Sequence, residues 1–105
     1  MTGEALKGHL DLLLLAVLAE GPAHGYAVIE SLRQSSDGLF DLPEGTIYPA
    51  LHRLERRGLL HSHWQTDVPR RRRVYELTTA GQKALAKRQQ DWRIFRQAVN
   101  ATVGI

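Results

Sequence analysis

The chain contains no cysteine. That removes disulfides, thiolate zinc centres and thiol nucleophiles together, and it fits a reducing, cytoplasmic setting. Long apolar runs are also missing. The longest, Leu12 to Ala19, spans eight residues between Asp11 and Glu20, against about 20 needed to cross a bilayer. No membrane partner is expected, and the N-terminal residues carry no signal-peptide pattern. Phosphate-cradling glycine loops are absent: Gly3 and Gly8 have the right spacing, but no Lys-Ser/Thr pair follows them. There is no Ser/His/Asp set of recognisable spacing and no pair of carboxylates that would face one cleft. Neither an enzyme nor a resident cofactor is therefore expected. Internal repeats and low-complexity segments are lacking as well, so 105 residues read as one compact unit.

What is present is unevenly placed. Net charge is only +3, yet residues 1–43 hold two basic and six acidic groups, residues 44–77 seven and four, and residues 78–105 five and one. The cationic half suits a phosphate-facing surface better than a uniformly solvated one. Its sharpest feature is the run Arg70-Arg71-Arg72-Arg73.

Local patterns predict mainly helix with one small β-hairpin. Leu6, Leu10, Leu13, Leu14, Val17 and Leu18 have helical spacing, and Leu12 and Leu15 make that helix apolar almost all round. Such a helix is enclosed on several sides, by its own domain and by a partner. Gly21-Pro22 ends it. A second helix is expected from about His24 to Ser35, with Tyr26, Ile29 and Leu32 inward, then a turn at Ser35-Ser36-Asp37-Gly38. Leu39 to Leu42 fit either a few strand residues or an apolar linker. Pro43-Glu44 opens a third helix, in which Ile47, Leu51 and Leu54 form a buried stripe. Pro49 should distort its first turn, and Gly58 stands where a helix-ending glycine belongs. Leu60 to Gln65 and Arg71 to Leu77 read as two strands around a turn at Thr66 to Arg70. Thr78 then caps a last helix from Thr79 to about Thr102, where Leu85, Trp92 and Val99 fall seven apart in a partial heptad broken at Arg88.

Helix, tight glycine and hairpin is the order of a winged helix. The segment Leu42-Pro-Glu-Gly-Thr-Ile-Tyr-Pro-Ala-Leu-His-Arg-Leu-Glu-Arg-Arg-Gly-Leu-Leu60 resembles the signature of the PadR-like transcriptional regulators. Gly21 to Tyr26 and Arg71 to Gly81 match in register, so the resemblance runs from about Lys7 to Val99. It implies a winged helix-turn-helix over residues 1–77 and a long C-terminal dimerisation helix over 78–105, as in the short branch of that family. The wing departs from the family pattern in having Pro69-Arg70 rather than glycine at its tip.

Double-stranded DNA is the expected partner. Thr46, Tyr48, Pro49, His52 and Arg53 lie near the start of the third helix and off its buried stripe, where a recognition helix meets the major groove. Arg53 could donate twice to guanine, and Thr46 and Tyr48 could reach phosphates. Arg70, Arg71, Arg72 and Arg73 would neutralise phosphates, although alternate strand residues face opposite ways and at most two or three can touch one duplex. Lys7 is a weaker phosphate candidate. Leu10, Leu14, Leu85, Trp92, Phe95 and Val99 are the expected dimer contacts. The resemblance also makes Trp92 and Phe95 candidate contacts for a small aromatic effector, weighed against plain packing between two copies. The reading is a homodimeric repressor on a pseudo-palindromic operator. The alternative is a winged helix that binds only proteins. A marR-like sensor would need more helix than this chain supplies. His61 and His63 share one strand face, a spacing that suits a transition metal, but no third ligand is evident in the sequence and no metal is expected.

Overall fold

A computed structural model describes residues 8–105; Leu6 and Lys7 lie outside the described residues. The elements run α1 (Leu10–Ala19), β1 (Ala23–His24), α2 (Gly25–Ser35), α3 (Glu44–Arg56), β2 (Leu60–Gln65), β3 (Arg72–Leu77) and α4 (Thr79–Val103). The fold is mainly helical with one small antiparallel sheet, ordered β1-β3-β2. The hairpin thus gains a third strand: Ala23 pairs with Tyr75 and His24 with Val74. Leu39 to Leu42 form no strand and act as the linker, with Leu42 buried.

The core is built from Leu14, Leu15 and Leu18 of α1, Val28 and Leu32 of α2, and Ile47, Ala50, Leu51 and Leu54 of α3. Leu60, Tyr75 and Leu85 close it from the sheet and α4. Each large side chain so buried contributes about 1.5–3 kcal/mol, which is what holds α3 at a fixed angle against α1 and α2. Two expectations need correction here. Tyr26 is 58% exposed, and Val28 takes the inward position because α2 starts at Gly25 and rotates Tyr26 out. Leu14 and Leu85, expected at the dimer contact, are 0% and 8% exposed inside the protomer. Their apolar area is already used, so neither has surface left for a second copy.

The ends of α3 and α4 are fixed by local chemistry. Thr46 N–H bonds to Pro43 carbonyl at 3.0 Å, an i to i−3 bond that tightens the turn below Pro49, while α3 continues unbroken to Arg56. At the other end Gly58 takes φ 78°. Its N–H bonds to Glu55 and that of Leu59 to Leu54, the paired closure that a left-handed residue permits. Thr78 joins the two helices: its Oγ1 donates to the Gly58 carbonyl and accepts from Gly81 N–H. Beyond Arg88, every residue of α4 is exposed. A helix of this length spans about 37 Å, and with its projecting distal half the described residues reach a longest extent of 52 Å.

Candidate nucleic-acid interface

The exposed face of α3 carries Gly45, Pro49, His52, Arg53 and Arg56, opposite the buried Ile47, Ala50, Leu51 and Leu54. Periodicity alone separates the two faces. Tyr48 lies on the border and is half-buried, with its ring against the backbone of Gly25 so closely that a Cβ there would overlap it. Close packing of that kind fixes where α3 starts relative to α2. Thr46 is half-buried beside it.

Between α3 and the wing lies a groove of about 600 Å³. Tyr48 and His52 line one wall, Trp64 and Arg70 to Arg73 the other, and Tyr26 sits at its edge. Trp64 is 48% exposed, and the Arg71 and Arg73 guanidiniums lie 4.4 and 5.2 Å from its ring centre. Such cation–π contacts contribute about 0.5–1 kcal/mol each at exposed sites; here they also hold two cations on the groove side. Arg72 faces the other way, as strand alternation requires, and its Nε donates to Gln65 at 2.8 Å. Arg73 is bound most firmly. Its Nε donates to Ser62 Oγ at 2.7 Å, and that hydroxyl donates to Glu55 on α3. A buried hydroxyl thereby ties the β2–β3 hairpin to α3. Arg70 and Arg71 are exposed and have no carboxylate partner among the described residues.

The structure brings Tyr48, His52, Arg70, Arg71 and Arg73 to one groove, leaves Arg72 at its rim with its side chain turned to Gln65, and sets Arg53 and Pro49 on its outer flank. Arg53 has a partner that sequence spacing did not suggest. Its Nη2 donates to Asp11 Oδ1 at 2.8 Å, while Arg57 and Arg88 reach the other Asp11 oxygen at 3.4 and 3.5 Å. Among the described residues, neither Glu55 nor Asp67 pairs with these arginines. Sequence spacing does not reveal Asp11 as their partner, because its three cations are 42, 46 and 77 residues away. The one available signal was an isolated carboxylate opening an otherwise apolar helix.

Two further groups shape the groove. His24 caps α2 by accepting from Ala27 N–H at 3.3 Å, the position the sequence placed at this helix opening. Partial burial, then the nearby Arg72 charge, lowers its pKa below the usual imidazole value, which favours the neutral ring the cap needs. Burial, reinforced by the Glu55 charge, raises the Tyr75 phenol and keeps it neutral against His52.

A second concavity, about 270 Å³, lies where α1 meets α4. Trp92 and Phe95 line it with ring centres 6.0 Å apart, and His9 stands edge-on to Trp92 at 5.4 Å. Arg88 and Asp91 supply its polar rim. Trp92 is 41% exposed, and Phe95, Val99, Ile94 and Val103 are also open along the projecting part of α4. Leu10 is half-buried at the start of α1. No helix among the described residues is long and apolar enough to cross a membrane.

Comparison with known proteins adds a consistent result. Residues 14–87 match the family model described as the transcriptional regulator PadR-like family. The chain is 36% identical over 84 residues to transcriptional regulator Rv3488 of Mycobacterium tuberculosis, covering 80% of this chain and 76% of that protein. Among solved structures it is similar to a transcriptional regulator from Clostridium thermocellum, with a TM-score of 0.87 and 28% identity over 94% of this chain and 97% of that one. A PadR family regulator from Eggerthella lenta gives a TM-score of 0.84 and 32% identity, over 95% and 86%.

Proposed function

Because the chain belongs to the PadR-like family of transcriptional regulators, we propose that it is a homodimeric repressor that binds a pseudo-palindromic operator in the cytoplasm. One observation carries the reading: the exposed face of α3 and the arginines of the wing bound the same groove. In this arrangement Pro49, His52 and Arg53 enter the major groove, Thr46 and Tyr48 stand near the backbone, and Arg70 and Arg71 meet phosphates. Arg72 and Arg73 act mainly by shaping the wing. The dimer forms through α4, where Trp92, Phe95 and Val99 offer apolar area that the protomer leaves open. Leu10 extends that surface from α1. The experiment that tests the whole is selection from random duplexes by the purified protein, followed by sequencing. A two-fold symmetric consensus is expected; an unselected pool would leave no sequence-specific role.

Arg53→Ala should weaken operator binding by roughly 10- to 100-fold, the range of one bidentate base contact, with little change on random DNA. Arg53 must leave Asp11 to make that contact; its own side chain is 47% exposed, and Asp11, 14% exposed, keeps Arg57 and Arg88, so the exchange costs about 1 kcal/mol. Titrations on both DNAs check this. Equal losses on the two would make Arg53 a phosphate ligand or a structural residue.

The concavity beside Trp92 is the proposed effector site. A planar aromatic compound that stacks there in the dimer would change how the two α4 helices cross, and with them the spacing of the two reading helices. With Trp64→Phe in place, flat aromatic cations and phenolic acids should quench the remaining emission saturably. Trp92→Ala should abolish binding and leave the dimer intact. A panel with no quencher, combined with a monomeric Trp92→Ala, would reduce Trp92 to a packing residue.

A further inference from the structure

The outer face of the wing carries a donor set that DNA binding does not use. His61 and His63 are two apart on β2, so both point away from the core, and Glu76 on β3 is paired directly with His61. Directly paired residues in an antiparallel sheet have Cβ atoms about 4.5–5.5 Å apart on one face. The donor atoms of all three side chains lie within 4.8 Å of one another. Glu76, the ligand that spacing along one strand could not reveal, is supplied by the strand register. No side-chain hydrogen bond or ion pair among the described residues involves any of the three.

From this juxtaposition we propose that His61, His63 and Glu76 form a site for a borderline divalent transition metal such as Zn²⁺ or Ni²⁺. Two imidazoles and one carboxylate suit those ions, whereas Mg²⁺ and Ca²⁺ require an all-oxygen shell. Geometry supports the choice. An imidazole bound at about 2.1 Å places its ring centre roughly 3 Å from the ion, so two such rings stand roughly 5–6 Å apart. The His61 and His63 ring centres are 6.4 Å apart at an interplanar angle of 35°. Small side-chain rotations close the remaining gap, and both rings are exposed and free to make them. Three protein ligands leave the remaining coordination positions to water. The ion would clasp β2 to β3 near the base of the wing, on the face turned away from Trp64 and the groove, so metal and duplex do not compete for one surface.

The test is calorimetric titration of the full chain, with any polyhistidine tag removed, using Zn²⁺ and Ni²⁺, and Mg²⁺ as the control. One ion per chain is expected, with no heat from Mg²⁺. His61→Ala, His63→Ala and Glu76→Gln should each weaken binding by more than about tenfold, the lower bound for losing even an outer-shell partner. Zn²⁺ should also raise the melting temperature and slow amide exchange in β2 and β3 of the parent, but not of the His61→Ala/His63→Ala double variant. All three side chains lie outside the core, so unchanged melting of the metal-free variants checks their fold. Absence of saturable heat, binding retained in the double variant, or a Glu76→Gln chain that binds like the parent would each overturn the proposal.

Discussion

Replacing Arg70, Arg71, Arg72 and Arg73 together with alanine should lower DNA affinity by about a thousandfold at 0.15 M salt and flatten its salt dependence. The magnitude follows from which arginines are free. Arg73 is held by Ser62 and Arg72 by Gln65, leaving Arg70 and Arg71 as the phosphate ligands of each protomer. Four contacts in a dimer, each worth about 0.9 in the slope of log affinity against log salt, give a total change of about 3.6. The Arg70→Ala/Arg71→Ala double variant should already produce most of that change. Random and operator DNA should suffer alike, because phosphates carry no sequence information. A slope identical to the parent's would take the wing out of the interface. A double variant with half the effect of the quadruple would show that Arg72 and Arg73 leave their internal partners on binding.

The second large effect concerns stability. Gly81 lies in the first turn of α4, where a Cβ would overlap the Leu59 carbonyl oxygen, stand 3.1 Å from its carbon and press on Leu77 at 3.3 Å. The main obstacle is backbone, so no side-chain rotation relieves it. The same Leu59 carbonyl accepts from Thr78 N–H at 3.2 Å, so moving α4 away strains the helix start as well. Gly81→Ala should therefore cost about 2–3 kcal/mol, equivalent to a fall of roughly 10–20 °C in melting temperature for a domain of this size. Gly45→Ala is the matched control. It meets nothing within 4 Å and should be neutral or stabilising by up to about 1 kcal/mol, since alanine is the better helix former. Equal melting temperatures for the two variants would refute the packing argument; a Gly81→Ala chain that melts like the parent would show that α4 shifts freely.

The parts of this structure that were legible in the sequence are those written in neighbouring residues. The Ile47, Leu51, Leu54 stripe specifies α3 and its outer face, because a helix places every third or fourth residue together. Gly58 and Thr78 mark the ends of α3 and the start of α4 through bonds to residues three to five positions away. The misplaced features depend on distant segments. β1 is two residues long and exists only because β3 offers an open edge, so no periodicity announces it. Tyr26 faces out because the start of α2 is set by the His24 cap and by Tyr48 filling the space over Gly25. Leu14 and Leu85 have the spacing of a dimer seam, but which side of an all-apolar helix faces its own domain is decided by what packs there. Glu76 came into view beside His61 only through strand register, and Asp11 beside Arg53 only through the tertiary fold.

Asp11 has a consequence for how tightly an operator can be held. One carboxylate faces three guanidiniums from two different helices, so it occupies donors that an outside acceptor would otherwise take. The base contact proposed for Arg53 must displace this resident competitor, whereas the phosphate contacts proposed for Arg70 and Arg71 need not. The cost therefore falls on operator rather than random DNA, and only a site whose base contact outweighs the ion pair draws Arg53 away. Arg88 reaches the same carboxylate from α4, beside Trp92. A shift of α4 that draws Arg88 away leaves Asp11 to Arg53 and Arg57 alone and strengthens its hold on the reading helix. In the proposed complex, the resting charge balance around Asp11 would thereby set how readily Arg53 turns to the duplex.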